Sequence, residues 1–211
     1  NLERFFIKGN QSYRAFKETI PADFSSASFF LCAGAITNSE ITLKGLDMND
    51  TQGDKKIIYI LKDMGANIDI TEDGIKVRGS NLKGMEIDMN DTPDALPIMS
   101  VVGCSAEGET ILRNVPQVRV KETDRIAVMR EELSKMGADI KELPDGLIIK
   151  KSKLKGAKVS GHGDHRVVMS LAVAGLVAKG ITEIDTAEAM NITFPKFADL
   201  MKNSGAKVHT I

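Results

Sequence analysis

Cysteine is scarce in this 211-residue chain: only Cys32 and Cys104 occur. Both sit inside apolar stretches, which excludes a disulfide framework; buried, reduced thiols fit a cytoplasmic protein. An excess of charge of either sign is also missing, with 28 basic residues against 29 acidic ones. That balance excludes a nucleic-acid or membrane surface built on global basic charge, so any bound anion must be held by local charge. No apolar run reaches membrane-spanning length, and no signal peptide is legible. Cys/His spacing of a metal site is absent, and the glycines form no phosphate-loop pattern. The sequence therefore demands neither metal nor cofactor. His209 is expected in solvent, and the ten methionines read as core filler.

What the chain does have is an internal repeat. Asp23, Asp94 and Asp164 each open an apolar helical stretch, spaced 71 and 70 residues apart. Each copy closes a second helix with Gly-Ala, at Gly65-Ala66, Gly137-Ala138 and Gly205-Ala206. Between these markers the pattern predicts strand, helix, strand, helix and hairpin. In the first copy a buried helix is expected over 26–35 and an alternating strand over 40–44. Ile57, Ile58, Leu61 and Met64 carry helical periodicity, and Glu72-Asp73-Gly74 is a hairpin turn. The second copy predicts a helix over 94–104, a strand over 110–113, a helix over 124–136 and a hairpin at Pro144-Asp145-Gly146. The third predicts helices over 164–178 and 194–203, strands over 182–184 and 206–208, and then stops.

Arg4-Phe5-Phe6-Ile7-Lys8-Gly9 is similar to Gly74-Ile75-Lys76-Val77-Arg78-Gly79. Residues 1–22 are thus expected to be the last strand and crossover of a preceding domain. Residues 23–211 are then one domain of three units, about 23–80, 81–152 and 153–211, the third lacking its final strand. The chain starts at Asn1 without a methionine, and is expected to be part of a longer protein. The fold class expected is mixed α+β: three βαβαββ units around a pseudo-threefold axis, helices inside and sheets outside. Helices apolar on most faces need neighbouring repeats to bury them.

Three constellations can carry chemistry. Arg119-Val120-Lys121-Glu122-Thr123-Asp124-Arg125 places Lys121 and Arg125 at i, i+4 and Glu122 and Arg125 at i, i+3 on a helical turn. Two cations beside a carboxylate suit an acidic substrate and a proton transfer, but a solvated turn with local ion pairs fits the same spacing. Gly161-His162-Gly163-Asp164-His165-Arg166 puts cations in a first helical turn, against the helix dipole by roughly 0.3–1 kcal/mol each. An anion at the helix start would explain them. Simple capping by Asp164, with His165 and Arg166 in solvent, is the plainer reading. Asp94, in Asn90-Asp91-Thr92-Pro93-Asp94-Ala95, is placed either to cap a helix or to orient a hydroxyl beside the cations.

Together, Pro93-Asp94-Ala95, Lys121-Glu122-Thr123-Asp124-Arg125 and Asp164-His165-Arg166 resemble the 5-enolpyruvylshikimate-3-phosphate synthase family. The stretch from Asp23 to Phe30 and Phe194-Pro195 match as well. The resemblance covers the C-terminal half of that enzyme, which has two domains of three units each. It implies transfer of the enolpyruvyl group of phosphoenolpyruvate to the 5-hydroxyl of shikimate 3-phosphate, without cofactor. By the same resemblance Asp94 contacts a substrate hydroxyl and accepts its proton, Lys121 lies near that hydroxyl, and Glu122 moves the proton at the methylene. Arg125 and Arg166 hold phosphoenolpyruvate with His165 alongside, and Gln117 touches shikimate 3-phosphate. Ile192 stands where many bacterial members carry lysine. Two other readings are weighed: a UDP-N-acetylglucosamine enolpyruvyl transferase, whose cysteine is absent here, and a non-catalytic binding module built from the repeats. A truncated chain is expected to be inactive alone and to expose a strand edge for self-association.

Overall fold

The computed structural model describes residues 4–210; Asn1–Glu3 of the expected first segment and Ile211 of the third unit lie outside them. The first unit holds α1 (Phe24–Ile36), β1 (Glu40–Leu43), α2 (Lys56–Asp63), β2 (Asn67–Thr71) and β3 (Gly74–Arg78). The second holds β4 (Glu86–Asp88), α3 (Leu96–Ser105), β5 (Glu109–Arg113), α4 (Arg125–Lys135), β6 (Asp139–Leu143) and β7 (Gly146–Lys150). The third holds β8 (Lys158–Ser160), α5 (His165–Val177), β9 (Glu183–Asp185) and α6 (Phe197–Asn203). Strand orders are β1-β3-β2, β4-β5-β7-β6 and β8-β9. Among the described residues only the middle unit has the full βαβαββ set.

Helices α1, α3 and α5 pack on one another at the centre, with the sheets outside. Nine residues of α3, Leu96 through Cys104, are buried. A helix with no polar face is stable only when surrounded, and here α1, α5 and the middle sheet surround it. The outer helices are amphipathic; α2 turns Ile57, Ile58 and Leu61 inward. An aromatic cluster joins the first unit to the third, with Phe29 and Phe30 meeting Phe197 at ring separations of 5.9 and 5.8 Å.

The Gly-Ala markers end their helices in the same way. Gly65, Gly137 and Gly205 have φ of 98°, 88° and 96°. Each donates its N–H to Lys62, Ser134 or Lys202, and the following alanine donates to Leu61, Leu133 or Met201. This pair of bonds satisfies helix-end carbonyls that would otherwise lack donors.

Two strands expected at the chain's ends are not formed. Residues 4–22 and 206–210 contain no helix or strand. A strand exists through its ladder, and among the described residues neither segment pairs with a neighbouring strand. Phe5, Phe6, Ile7, Tyr13 and Phe16 stand exposed as a result. The helical turn expected at 121–124 is also absent: a 3-10 turn over Pro116–Val120 precedes a bend, and α4 starts at Arg125.

Two glycines of the second unit serve different needs. A Cβ on Gly146 would lie 1.8 Å from the Leu112 carbonyl oxygen, whereas one on Gly137 meets nothing within 4 Å. Gly146→Ala is therefore expected to cost about 3 kcal/mol or more, and Gly137→Ala about 1 kcal/mol from its left-handed backbone alone. Urea unfolding of the two variants measures this; equal losses would contradict it.

Candidate active site

The centre of the site is the Arg125 guanidinium, whose side chain is only 1% exposed. Its Nε donates to Asp164 Oδ2 at 2.8 Å and its Nη2 to Asp164 Oδ1 at 3.2 Å. Nη1 donates to Asp94 Oδ1 at 2.8 Å, and Nη2 also to Glu122 Oε2 at 2.6 Å. Three carboxylates from separate stretches thus converge on one buried cation. A planar five-donor group is the side chain suited to such a junction.

The three long inner helices begin side by side here. Arg166, in the first turn of α5, donates from Nη2 to Ser25 Oγ at 2.7 Å and from Nη1 to the Asp94 carbonyl at 3.3 Å. Its guanidinium also lies 3.5 Å from Asp94 Oδ2. Asp23 caps α1, accepting from the Ser25 and Ser26 amides, and Asp164 caps α5, accepting from the Arg166 amide at 2.8 Å. The plain capping reading therefore holds for Asp164 only in part, since its oxygens serve the helix and Arg125 together. Asp94 does not cap at all. It lies in a 3-10 turn over Pro93–Ala95, with no side-chain bond to a helix amide, and turns its carboxylate to the cations.

The other expected residues gather around this junction. Lys121 Nζ is 3.5 Å from Asp94 Oδ1 and more than a third exposed. Glu122 is half exposed, and His165 Nδ1 lies 3.8 Å from its Oε1. Gln117 reaches Asn90 through long contacts of 3.4 Å. Arg119, by contrast, is spent on structure, donating to Asp124, Glu142 and the carbonyls of Leu143 and Pro144. Ile192 is exposed. Sequence reasoning gave no role to Asp54, Ser25 or Thr123. Thr123 Oγ1 donates to Asp164 Oδ2 at 3.1 Å, and Ser25 Oγ accepts from Arg166 Nη2. The signal for Ser25 was present in the Ser-rich opening of the first repeat.

Charge and burial set the protonation states. Burial pushes the Asp94 carboxyl up, but Arg166, Arg125 and Lys121 together outweigh it and hold the group below its ordinary value. Asp164 is likewise lowered, burial being overcome by the bonds and charge of Arg125 and by the Arg166 amide. Burial, with Arg166 adjacent, depresses His165 and keeps the imidazole neutral at pH 7. Asp54 is raised because burial exceeds the pull of Arg166. The arrangement sets two cations, the partly exposed Lys121 and the more enclosed Arg166, beside the carboxylates of Asp94 and Glu122 and the His165 imidazole. It is equipped to bind anions and to pass protons. Among the described residues no cluster of His, Cys, Asp and Glu could hold a metal ion, and no helix is long and apolar enough to cross a membrane.

A protein-family model described as EPSP synthase (3-phosphoshikimate 1-carboxyvinyltransferase) matches residues 1–201. The chain belongs to the EPSP synthase family. A 3-phosphoshikimate 1-carboxyvinyltransferase of Ruminiclostridium cellulolyticum is 59% identical over 211 residues, all of this chain and 50% of that protein. One of Acetivibrio thermocellus is 58% identical over 210 residues, again half of its length. The chain spans about half the length of the curated relatives it matches. A solved EPSP synthase from Acinetobacter baumannii superposes with a TM-score of 0.78 at 35% identity, over 88% of this chain and 46% of that one. The mixed helix-and-sheet architecture is thus the enolpyruvyl transferase fold of the EPSP synthase family.

Removing the central cation leaves the fully buried Asp164 without its guanidinium partner and Asp94 with Arg166 and Lys121 alone. Arg125→Met is expected to lower unfolding free energy by about 3–5 kcal/mol, and Lys121→Met, at the exposed rim, by less than about 1 kcal/mol. Denaturant titration separates the two. Asp94 and Asp164 have lowered folded pKa values, so their contribution is complete above the ordinary carboxylate range and is lost as pH falls through the lowered values. Asp54, being raised, acts in the opposite sense. Stability is expected to decline below about pH 4, less steeply in Arg125→Met. Undiminished stability at pH 3 would contradict this.

Proposed function

We propose that this chain forms one wall of the active-site cleft of a 3-phosphoshikimate 1-carboxyvinyltransferase. The other wall comes from a second half that completes a protein of the relatives' length. The observation that carries the reading is the Arg125–Asp164 pair, which joins the Lys-Glu-Thr-Asp-Arg bend to the Asp-His-Arg helix start with Asp94 beside both. The two most specific motifs of the sequence thereby serve a single site. The family relationship supports the same reaction.

In this reading the shikimate 5-hydroxyl attacks C2 of phosphoenolpyruvate while C3 takes a proton. The resulting tetrahedral intermediate then loses phosphate and a C3 proton, giving 5-enolpyruvylshikimate 3-phosphate. Asp94, ionised and only partly covered, orients the hydroxyl and accepts its proton, with Lys121 beside it. Glu122 serves C3 as acid and then base, next to His165. Gln117, next to Asn90, contacts shikimate 3-phosphate in this reading. Arg166 and Lys121 supply the charge an arriving anion meets first. Arg125 contributes by exchange: an anion that displaces Glu122 from Nη2 gains a donor and frees the carboxylate for proton transfer.

Full-length protein given shikimate 3-phosphate and phosphoenolpyruvate should release phosphate, and residues 1–211 alone should not. Equal turnover by the isolated chain would place the rest of the site wrongly. Glu122→Gln in the full-length protein should reduce kcat by about 10²-fold or more, with phosphoenolpyruvate affinity within about threefold, because the charge acts in proton transfer rather than in binding. Unchanged turnover removes Glu122 from the chemistry. The isolated chain should also self-associate through the exposed apolar segment at 5–16, which concentration-dependent light scattering detects.

A further inference from the structure

Seven residues beyond Arg125, two turns along the same face of α4, lies a second buried charge. Glu132 has no exposed surface, yet it is not part of the junction described above. Its Oε1 lies 2.7 Å from His162 Nε2, its Oε2 accepts from the Ser160 amide at 3.0 Å, and Lys135 Nζ reaches both oxygens at 2.8 and 2.9 Å. Burial pushes this carboxyl up, but Lys135, His162 and the Ser160 amide outweigh it and keep it ionised. Enclosing a carboxylate is destabilising unless its partners are well placed, and a leucine would fill such a position at less cost.

The partners show what is gained. Ser160 ends β8, and His162 lies in the loop that follows it and delivers Asp164, His165 and Arg166 to the start of α5. That loop is bent in an unusual way: His162 has φ of 52° and Gly163 of 71°. Left-handed backbone at a histidine persists only where surrounding contacts impose it. Glu132 imposes it from one side. From the other, Asp185 accepts from the Gly161 amide and Thr186 Oγ1 from the Gly163 amide. Helix α4 thus grips the third unit at two points, through Arg125 to Asp164 and through Glu132 to Ser160 and His162.

We infer that Glu132 and His162 form a positioning clamp, which sets the angle of the 160–163 loop and through it the placement of Arg166 and Asp164 in the site. The inference rests on the proposed function for its kinetic readout. Neither residue touches the cluster around Asp94, so both act through the residues they position. Two rigid attachments fix the orientation of the α5 start, where the Arg125–Asp164 pair alone leaves it a pivot.

The test uses full-length protein carrying Glu132→Gln, Glu132→Ala or His162→Asn, asparagine being tolerated in left-handed backbone. Per folded molecule, kcat/KM for phosphoenolpyruvate should fall by about tenfold or more in Glu132→Ala and His162→Asn. Glu132→Gln, which keeps the shape and one acceptor, should be intermediate. KM for shikimate 3-phosphate should stay within about twofold. A purely structural role would lower the melting temperature and leave these constants alone, and that result overturns the clamp. A second readout needs no turnover: the Arg125 Nε–H resonance, set by its bond to Asp164, should move in Glu132→Ala. If wild-type protein makes no enolpyruvyl product, the functional reading fails, and the resonance alone decides the clamp: unmoved, it is refuted.

Discussion

A single guanidinium, that of Arg125, joins carboxylates that lie far apart along the chain. Its bonds to Asp94, Glu122 and Asp164 tie the start of α4 to the turn before α3 and to the cap of α5. Such a junction is stable only as a whole. A buried cation with one carboxylate removed is poorly compensated, and a buried carboxylate without its cation is worse. Helices α3, α4 and α5 therefore need to dock in mutual register before the network closes, and the register that closes it also assembles the site.

The repeat supplies the frame, and departures from it supply the chemistry. All three units place an aspartate where an inner helix begins, but only Asp23 and Asp164 spend it on capping. Asp94 is released from that duty by the 3-10 turn that Pro93 opens. The three openings then present a serine, a carboxylate not used for capping and an arginine to the same space. Function here is grafted on a scaffold that repeats without it.

Much of the frame was legible because it rests on local rules. Helical periodicity found α2, alternation found β1, the repeat carried these readings to α4 and β5, and Gly-Ala found three helix ends with a common set of bonds. The pseudo-threefold meeting of helix starts followed from the repeat spacing. The site was legible as a set of residues but not as a set of partners. That Arg125 is enclosed by carboxylates, and Arg119 spent on a hairpin, depends on residues 23 to 39 positions away, which no local pattern encodes. The expected strands at 4–9 and 206–208 failed for the same reason, since alternation signals the capacity to pair and the ladder requires a neighbour. Asp54 escaped notice because an isolated acidic residue in a turn looks like any solvated one.

The aromatic contact between α1 and α6 makes the three units a closed ring rather than a row. In an open array of repeats each end has one neighbour and frays first, so unfolding can proceed stepwise. Here the first unit touches both of the others, and Phe29, Phe30, Phe194 and Phe197 seal the remaining side. Loss of any one unit strips a face from each of the other two inner helices. The three-unit body is thereby committed to melting as one cooperative block, despite an ancestry of repetition.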